Sequence, residues 1–245
     1  MKILPLSEGS FTIDETKKFI PFNEEADQLR DRAKGSLLVE IQPFIVITSK
    51  DVLLLDAGLG FETDGSLQLY NNLAAAGIQT TDITKVLMSH LHKDHAGGVG
   101  VEREGLGGRL ALPNATYYVQ RKELEYAFEK GAPSYITPEL EALRGAGNVQ
   151  LLDGNGSIDG YIQYELSGAH CPWHQVFFID DEDERIFFGG DEAPQLHQMK
   201  HKFAAKYDHD GKKAMELRQK WWEQGNREHW TFLFYHDLKN PVVKC

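Results

Sequence analysis

"SHLHKDHAGG", which runs from Ser89 to Gly98, places four side chains of metal-binding type within one short segment: His90, His92, Asp94 and His95. The first two are separated by one residue, so an extended backbone directs both side chains to the same face. The last two are adjacent and would diverge in a regular strand. The chain must therefore turn between the two pairs, and the glycines that follow permit a tight path out of that turn. Two pairs on opposite sides of a turn predict two neighbouring ions rather than one.

Four ligands do not suffice for two ions. A zinc ion takes about four ligands, and a catalytic site leaves one of these positions to water. The remaining ligands must come from elsewhere, and three apolar runs end in suitable residues: His170 after YELSGA, Asp191 after FFGG and His236 after FLFY. We expect these strand ends to share a rim with the histidine-rich segment.

The composition bounds the class of protein. At 245 residues with a hydrophobic fraction of 41%, the chain suits one large domain or two small ones with a buried core. The formal net charge of −11 repels phosphate backbones and disfavours nucleic acid as a partner. No apolar run approaches the roughly 20 residues needed to cross a bilayer, and the first residues lack the pattern of a signal peptide. Two cysteines form no disulfide framework. These features predict a soluble, cytoplasmic protein without a membrane partner.

Hydrophobic periodicity predicts the secondary structure. Helices are expected at Ser66–Gly77, Arg121–Gly131 and Lys213–Gly225, and two β-rich runs separated by the turn TSKD at Ser36–Gly60. Further strands are expected at Ile83–His90, Ala115–Gln120, Tyr161–His170, His174–Asp180, Arg185–Asp191 and Trp230–Asp237. A glycine-rich loop, Gly97–Gly108, follows the histidines, and the irregular segment Gly131–Val149 is expected to form a lid or wall over a pocket. This order predicts two sheets packed together with helices outside.

The whole pattern resembles the metallo-β-lactamase-fold hydrolases. Their motif, H-x-H-x-D-H followed by a distant His, Asp and final His, is matched by His90, His92, Asp94, His95, His170, Asp191 and His236. The stretches LLLDAGLG around Asp56 and GAHCPWHQ also resemble the family, and the likeness extends over about Ser36–Asp237. It implies an α+β fold over residues 1–245 as a single domain. That fold is a four-layer αββα sandwich of two mixed β-sheets with helices outside.

The same resemblance implies how the ligands divide. One ion is held by His90, His92 and His170, the other by Asp94, His95 and His236, and Asp191 bridges the two. The cofactors are then two divalent metal ions, with zinc expected first and iron or manganese as alternatives. Two such cations lower the pKa of a water held between them, which implies hydrolysis. The catalytic residues implied are Asp191, as the bridge, and Asp94, which assists proton transfer to the leaving group.

The tail GGDEAPQ…WWEQG…FLFYHD resembles one branch of the family most, the quorum-quenching lactonases and methyl parathion hydrolase-like enzymes. This predicts a small-molecule substrate, a small ester and above all a lactone. In the lactonases a tyrosine stands three residues after the bridging Asp, whereas this chain has Pro194. Tyr235, Tyr117 and Tyr118 are candidates to replace it. His92 stands where the redox flavodiiron proteins have Glu, which favours hydrolysis.

Two alternatives stay open: a phosphodiester or phosphotriester hydrolase of the same fold, and a non-hydrolytic metal-binding or redox module. Homodimer formation is also left open. Around the site we expect Asp56 and His174 to support the ligands from behind and Cys171 to be a buried thiol. Trp221 and Trp222 are expected in the core. The histidines of the following polar stretch, His197, His201 and His209, are expected to be exposed or to line a rim.

Overall fold

The first sheet forms one half of the structure. The computed structural model describes residues 1–101 and 108–245, so part of the predicted glycine-rich loop, at 102–107, lies outside the described residues. In spatial order this sheet consists of Lys2–Pro5, Phe44–Ile47, Val52–Leu55, Lys85–Leu87, Thr116–Gln120 and Val149–Leu152. Its strands are parallel from Val52–Leu55 onward and antiparallel before that point.

The second sheet faces the first. In spatial order it consists of Gly156–Ile158, Ile162–Leu166, Gln175–Asp181, Glu184–Phe188, Thr231–Leu233 and Val242–Lys244. One pair in it, Glu184–Phe188 with Thr231–Leu233, is parallel, and the other pairs are antiparallel. Both sheets are therefore mixed, as predicted.

The remaining elements are helices and small sheets. The helices are α1 Gln68–Ala75, α2 Lys93–Ala96, α3 Arg121–Lys130, α4 Thr137–Leu140, α5 Ala142–Gly145, α6 Leu196–Lys200 and α7 Gly211–Glu228, with short 3₁₀ turns at Leu29–Asp31, Gly97–Val99 and Gly190–Glu192. A further sheet joins Ile20–Pro21, Gly9–Ile13 and Leu37–Ile41, and two small hairpins pair Gly100–Val101 with Arg109–Leu110 and Glu62–Thr63 with Ser66–Leu67. No described helix is long and apolar enough to span a bilayer.

Three apolar cores separate four layers. Leu53 and Leu55 pack between the two sheets, while Leu54 between them in sequence packs on the opposite face, toward α1 and α3. The second sheet alternates in the same way, since Phe177 faces the first sheet and Phe178 faces the core that includes Trp221 of α7. Each sheet is thus buried on both faces, with side chains that alternate at a period of two. The predicted αββα sandwich is confirmed; that residues 1–245 form a single domain stays a prediction.

Several predicted boundaries are wrong for identifiable reasons. The run Ser36–Gly60 contains three strands rather than two, because Pro43 has no amide hydrogen and separates Leu37–Ile41 from Phe44–Ile47. Strands before residue 36 were not predicted, because they are short. Helix α7 does not stop at Gly225 but continues to Glu228, and His229, at φ 58°, ends it.

The candidate ligands lie beyond the strand ends rather than on them. The strands predicted to reach His170, Asp191 and His236 end at Leu166, Phe188 and Leu233. Gly168 and Gly190, at φ 58° and 48°, turn the chain before the first two of these ligands. The ligands therefore sit on loops at one edge of the sandwich, where their side chains can converge from different directions.

The segment Gly131–Val149, predicted to be a lid or wall over a pocket, contributes a small part of the described wall of the cleft. It contains α4 and α5, and its apolar side chains, Tyr135, Leu140, Ala142 and Leu143, pack into the core beneath the first sheet. Among the described residues of this segment, Ser134 borders the cleft over the candidate ligands. Most of the cleft wall comes from the segments 13–19, 34–39 and 194–207.

Candidate metal centre

The histidine-rich segment turns where the sequence requires it. His90 and His92 follow the strand Lys85–Leu87, His92 has an extended backbone, and α2 then starts at Lys93. Asp94 and His95 belong to this helix, so their side chains leave the backbone in other directions than those of the two preceding histidines. The strand-to-helix change divides the four residues into two pairs.

The glycines after α2 serve close packing. A Cβ atom on Gly97 would lie 2.3 Å from the carbonyl oxygen of Leu59, and one on Gly98 would lie 2.2 Å from that of Ala57. The loop that follows Asp56 therefore passes directly against the backbone of the segment. These two glycines allow the contact that brings Asp56 behind the histidines.

One group of ligand atoms converges around His92. Its Nδ1 lies 2.9 Å from Nε2 of His90 and 3.1 Å from Nε2 of His170. The Oδ2 atom of Asp191 lies 3.2 Å from Nε2 of His170 and 4.0 Å from Nε2 of His90. All four ligand atoms lie within 4.8 Å of one another, a spacing that could hold one metal ion.

A second group converges on the other oxygen of Asp191. Its Oδ1 lies 3.1 Å from Nε2 of His95 and 2.9 Å from Nε2 of His236. The Oδ2 atom of Asp94 lies 3.7 Å from the first of these nitrogens and 3.5 Å from the second. The two groups thus match the division implied by the sequence, and Asp191 offers one oxygen to each.

Hydrogen bonds behind the ligands fix the histidine tautomers. Nδ1 of His95 donates to the buried Asp56 carboxylate at 2.7 Å, and Nδ1 of His236 donates to the Glu40 carbonyl oxygen at 2.7 Å. Nδ1 of His170 donates to Asp208 at 3.0 Å. Each ring thereby keeps a proton on Nδ1, so Nε2 is the nitrogen that would bind a metal ion after it gives up its own proton.

His90 is fixed in the same way through a serine. Its Nδ1 lies 3.1 Å from Oγ of Ser89, whose hydroxyl hydrogen is given to Asp56 at 2.6 Å. The Ser89 oxygen therefore accepts from His90, which again leaves Nε2 as the free acceptor. Asp56 supports two ligands, as predicted, and does so with a buried carboxylate at φ 55°.

The polar atoms at the middle of the centre fit a bound cation. Nε2 of His95 and Oδ1 of Asp191 are buried and lie 3.1 Å apart, but neither forms a hydrogen bond of acceptable geometry with a described residue. Unpaired buried polar atoms are costly unless a ligand satisfies them. Nitrogen lone pairs and carboxylate oxygens are also the ligand types that zinc, iron and manganese accept. The residues present thus fit a pair of divalent ions.

Burial and neighbouring charges determine the protonation states of the candidate ligands. Burial, together with the neighbouring histidine rings, holds the pKa of His90 and His92 well below the usual value, so both are neutral ligands at pH 7. Burial alone would raise the pKa of Asp191, but His236, His95 and His170 outweigh it and hold that pKa well below its usual range. Asp191 is therefore a carboxylate with both oxygens available.

A buried glutamate that the sequence did not indicate ties several parts of the centre together. Glu123 on α3 accepts from the Leu91 amide and from the Tyr135 hydroxyl, both at 3.1 Å, and from the Cys171 thiol at 3.5 Å. Leu91 separates two candidate ligands, and the Tyr135 ring lies 4.8 Å from that of His92. Glu123 therefore fixes the backbone and a packing partner of the first group. Cys171 is the buried thiol that was predicted.

His174 and Glu192 support the loops that carry ligands. Nε2 of His174 accepts from the Asp191 amide at 3.2 Å, and the ring belongs to neither ligand group. The Glu192 carboxylate accepts from the amides of Ala169 and His170 at 2.7 and 2.9 Å. The supporting position expected for His174 is confirmed. Glu192 was missed because it lies in an acidic, glycine-rich turn without a distinctive pattern.

The tyrosines proposed to replace the lactonase tyrosine do not reach the cleft. Tyr117 is in the core, Tyr118 does not border the cleft, and Tyr235 is buried with its hydroxyl donating to the Asp94 carbonyl at 2.7 Å. Pro194 does border the cleft, beside Tyr207, which the sequence analysis did not single out. Burial raises the pKa of Tyr207 to about 12, so its hydroxyl is neutral.

The expectations for the two tryptophans and for the histidines of the polar stretch are confirmed. Trp221 is buried and Trp222 packs against the same core, as predicted. Of the three histidines in the polar stretch, His197 borders the cleft, and all three are exposed.

Comparison with known proteins gives consistent results. The model of the metallo-beta-lactamase superfamily matches residues 39–226. An N-acyl homoserine lactonase, AttM of Azorhizobium caulinodans, is 34% identical over 118 residues, which cover 43% of this chain and 39% of the relative. The N-acyl homoserine lactonase AiiA of Bacillus thuringiensis subsp. kurstaki is 31% identical over 117 residues, 47% of this chain and 40% of the relative. The matched part thus spans well under half the length of these relatives.

Solved structures are similar over nearly the whole chain. A probable metal-dependent hydrolase from Staphylococcus aureus has a TM-score of 0.78 at 21% identity, covering 99% of this chain and 91% of that one. AidC, a dizinc quorum-quenching lactonase in complex with a product, has a TM-score of 0.74 at 21% identity, with coverages of 99% and 89%. At this identity the likeness establishes the fold.

Proposed function

The chain belongs to the metallo-beta-lactamase superfamily, and from that premise we propose that it is a dinuclear metal-dependent hydrolase of small esters, with lactones as the first substrate class. The observation that carries the proposal is the pair of ligand groups that share the Asp191 carboxylate. Two groups with a common bridging oxygen donor suit two adjacent ions, and paired ions suit hydrolysis.

In this proposal one ion is held by His90, His92 and His170 and the other by Asp94, His95 and His236, with Asp191 between them. Zinc is expected first, and iron or manganese are alternatives. When bound, such a pair supplies a water of lowered pKa and polarises the carbonyl oxygen of the ester.

The protein's own residues orient the candidate ligands and supply a proton to the leaving group. The hydrogen bonds that the histidine rings donate to Asp56, Asp208 and the Glu40 carbonyl hold these rings in place, so the centre is arranged before a substrate enters. Asp94 borders the cleft, and we assign to its carboxylate the transfer of a proton to the leaving oxygen. The centre lies at the base of a cleft of about 800 Å³, which suits a small molecule.

The relatives support the choice of lactones. Those with recognisable sequence identity are named as N-acyl homoserine lactonases, and one structural neighbour binds a lactonase product. Pro194 in place of the expected tyrosine argues that details of substrate contact differ. Homodimer formation and a cytoplasmic location stay predictions.

The test combines metal analysis with a substrate panel. Protein prepared without chelators is expected to contain about two metal equivalents per chain, and Asp191→Ala is expected to lose both metal and hydrolysis because both groups need this residue. The matched control is Asp153→Ala, since that carboxylate is exposed and pairs with Arg121. Metal-free wild-type protein would contradict the proposal. Turnover of bis(4-nitrophenyl) phosphate far above that of lactones would favour a phosphoesterase instead.

A further inference from the structure

The cleft over the candidate metal centre gathers positive charge on a negatively charged protein. Four lysines border it: Lys17, Lys34, Lys93 and Lys206. Apart from the candidate ligands, the acidic residues on its described lining are Asp14 and Glu15. The chain as a whole has 26 Lys and Arg against 37 Asp and Glu, so the local balance is the reverse of the global one. We call these four side chains the lysine rim.

The lysine rim is not neutralised by the protein. Some lysines elsewhere pair with carboxylates, as Lys85 does with Asp51 at 2.6 Å and Lys244 with Glu184 at 2.8 Å. Within the described residues, none of the four rim ammonium groups forms a salt bridge. One of the two rim carboxylates, Asp14, is engaged in its own turn, where it accepts from the amide and hydroxyl of Thr16 at 2.9 and 2.6 Å. Outside the candidate ligands, four lysines thus share the cleft lining with two carboxylates, and positive charge is in excess there.

Two of these lysines are held side by side. Lys17 sits at the end of the turn that Asp14 begins, in the left-handed region at φ 59°. The ammonium group of Lys93 donates to the Lys17 carbonyl oxygen and lies 5.6 Å from the centre of the Phe19 ring. Lys93 directly follows His92, a candidate ligand of the first group, and starts α2. The lysine rim therefore begins directly beside the first ligand group.

The rest of the cleft is apolar enough to hold a hydrocarbon chain. Phe19, Leu38 and Phe203 border it, and Phe203 and Leu37 are exposed large apolar side chains. Lys34 and Lys206 are exposed, whereas Lys17 and Lys93 are half-buried, so we assign the end of a ligand remote from the metal centre to the two exposed lysines. The lining thus combines apolar side chains with cationic ones, the pattern expected for an amphipathic anion.

We propose that the substrates of this cleft are esters or lactones that carry a carboxylate at the end of the chain remote from the reacting carbonyl, and that the lysine rim binds this carboxylate. The inference rests on the proposed hydrolase function and narrows its substrate class. The overall charge of −11 opposes polyanions, so a single small anionic group suits the cleft better than a nucleic acid.

The test uses two ligands that differ in one carboxylate. Hexanoate and adipate have the same chain length, and each can present one carboxylate to the metal centre, so the difference between them reports the second carboxylate. Calorimetric titration of the metal-loaded protein is expected to show adipate binding about tenfold more tightly, a preference that weakens as salt is raised.

Lysine variants test whether the lysine rim causes the preference for adipate over hexanoate. The double variant Lys34→Gln with Lys206→Gln removes the two exposed lysines of the rim and is expected to bind adipate and hexanoate about equally. The control is Lys220→Gln on α7, an exposed lysine that borders no part of this cleft and is expected to keep the full preference. Equal binding of the two ligands by the wild-type protein overturns the inference, and so does a preference that survives in the double variant.

The outcome is separable from that of the proposed function. Protein that hydrolyses lactones but binds both ligands equally would leave the hydrolase proposal standing without the lysine rim. Protein that prefers adipate but hydrolyses neither ester nor lactone would leave an anion-binding cleft without the proposed reaction.

Discussion

Nδ1 of His170 lies 3.0 Å from Oδ1 of Asp208, a residue 38 positions further along the chain. The side chain of Asp208 is fully buried, and its other oxygen lies 3.9 Å from the guanidinium group of the buried Arg218. On the opposite side of the ring, Nε2 of His170 faces Asp191 at 3.2 Å. A series of polar contacts thus connects Arg218 on α7, through Asp208 and His170, to Asp191 in the candidate metal centre. It holds the His170 ring so that one nitrogen donates and the other is free to bind.

Asp208→Ala is expected to weaken metal binding at the first group about 10- to 100-fold, because a ligand histidine loses the partner that orients it. Asp208→Asn is expected to lose less, since the amide oxygen can still accept from Nδ1. Stepwise metal titration by calorimetry measures the effect. The companion variant is Asp56→Ala, which removes the partner of His95 and, through Ser89, that of His90, and is therefore expected to weaken both binding steps. Equal weakening of both binding steps by Asp208→Ala would contradict the assignment.

Glu123→Ala is expected to lower the free energy of unfolding by on the order of 3 kcal/mol, because three buried donors lose their acceptor at once. Glu123→Gln retains one acceptor oxygen and is expected to lose less. Chemical denaturation measures the change, with Glu125→Ala on the exposed face of the same helix as the control. That control is expected to stay within about 0.5 kcal/mol of the wild type. An Ala variant as stable as the wild type would show that water replaces the carboxylate.

The fold was predictable where the pattern is local. Runs such as Val52–Leu55 and Gln175–Asp181 are buried on both faces, so their apolar residues identify them without tertiary information. Boundaries were less predictable, because they depend on contacts between distant parts of the chain. The continuation of α7 past Gly225 is such a case, since aromatic rings outside the helix occupy the space above that glycine.

The residues of the candidate site were also predictable only where the sequence pattern is local. Residue type and spacing mark the seven candidate ligands in the sequence, four within the histidine-rich segment and three that follow predicted strands. The structure brings all seven together. Asp208, Glu123 and Tyr207 were missed because each is an isolated polar residue in an unremarkable segment. Their positions beside the centre follow from how helices and loops pack, which one sequence does not reveal.

Gly225→Ala is expected to destabilise the protein although alanine favours helices. A Cβ atom there would lie 2.3 and 2.5 Å from two atoms of the Phe232 ring and 3.1 Å from Trp230. Overpacking of this kind costs about 1–3 kcal/mol, more than the gain of roughly 1 kcal/mol in helix propensity. Thermal unfolding measures the effect, with Glu223→Ala on the exposed side of α7 as the control. A raised melting temperature for Gly225→Ala would show that the two rings move aside freely.

Glu8 gives the stability a specific pH dependence. Its carboxylate accepts from the Leu59 amide at 2.6 Å, while its other oxygen is buried without a partner among the described residues. Burial raises the pKa of Glu8 to about 7, against 4.5 for an ordinary glutamate. The folded state therefore binds this proton more tightly than the unfolded state does. The resulting stabilisation is complete below pH 4.5 and is lost as the pH rises through 7.

Glu8→Gln removes that loss because the amide stays neutral at every pH. The stability of the variant relative to the wild type is expected to rise by about 3 kcal/mol between pH 5 and pH 8, the free energy that corresponds to the pKa shift. Denaturant unfolding at several pH values in this window measures the difference. The exposed Glu24→Gln, as control, is expected to show a constant difference over the same range. A constant difference for Glu8→Gln as well would mean that Glu8 is already ionised at pH 5, with water reaching its second oxygen.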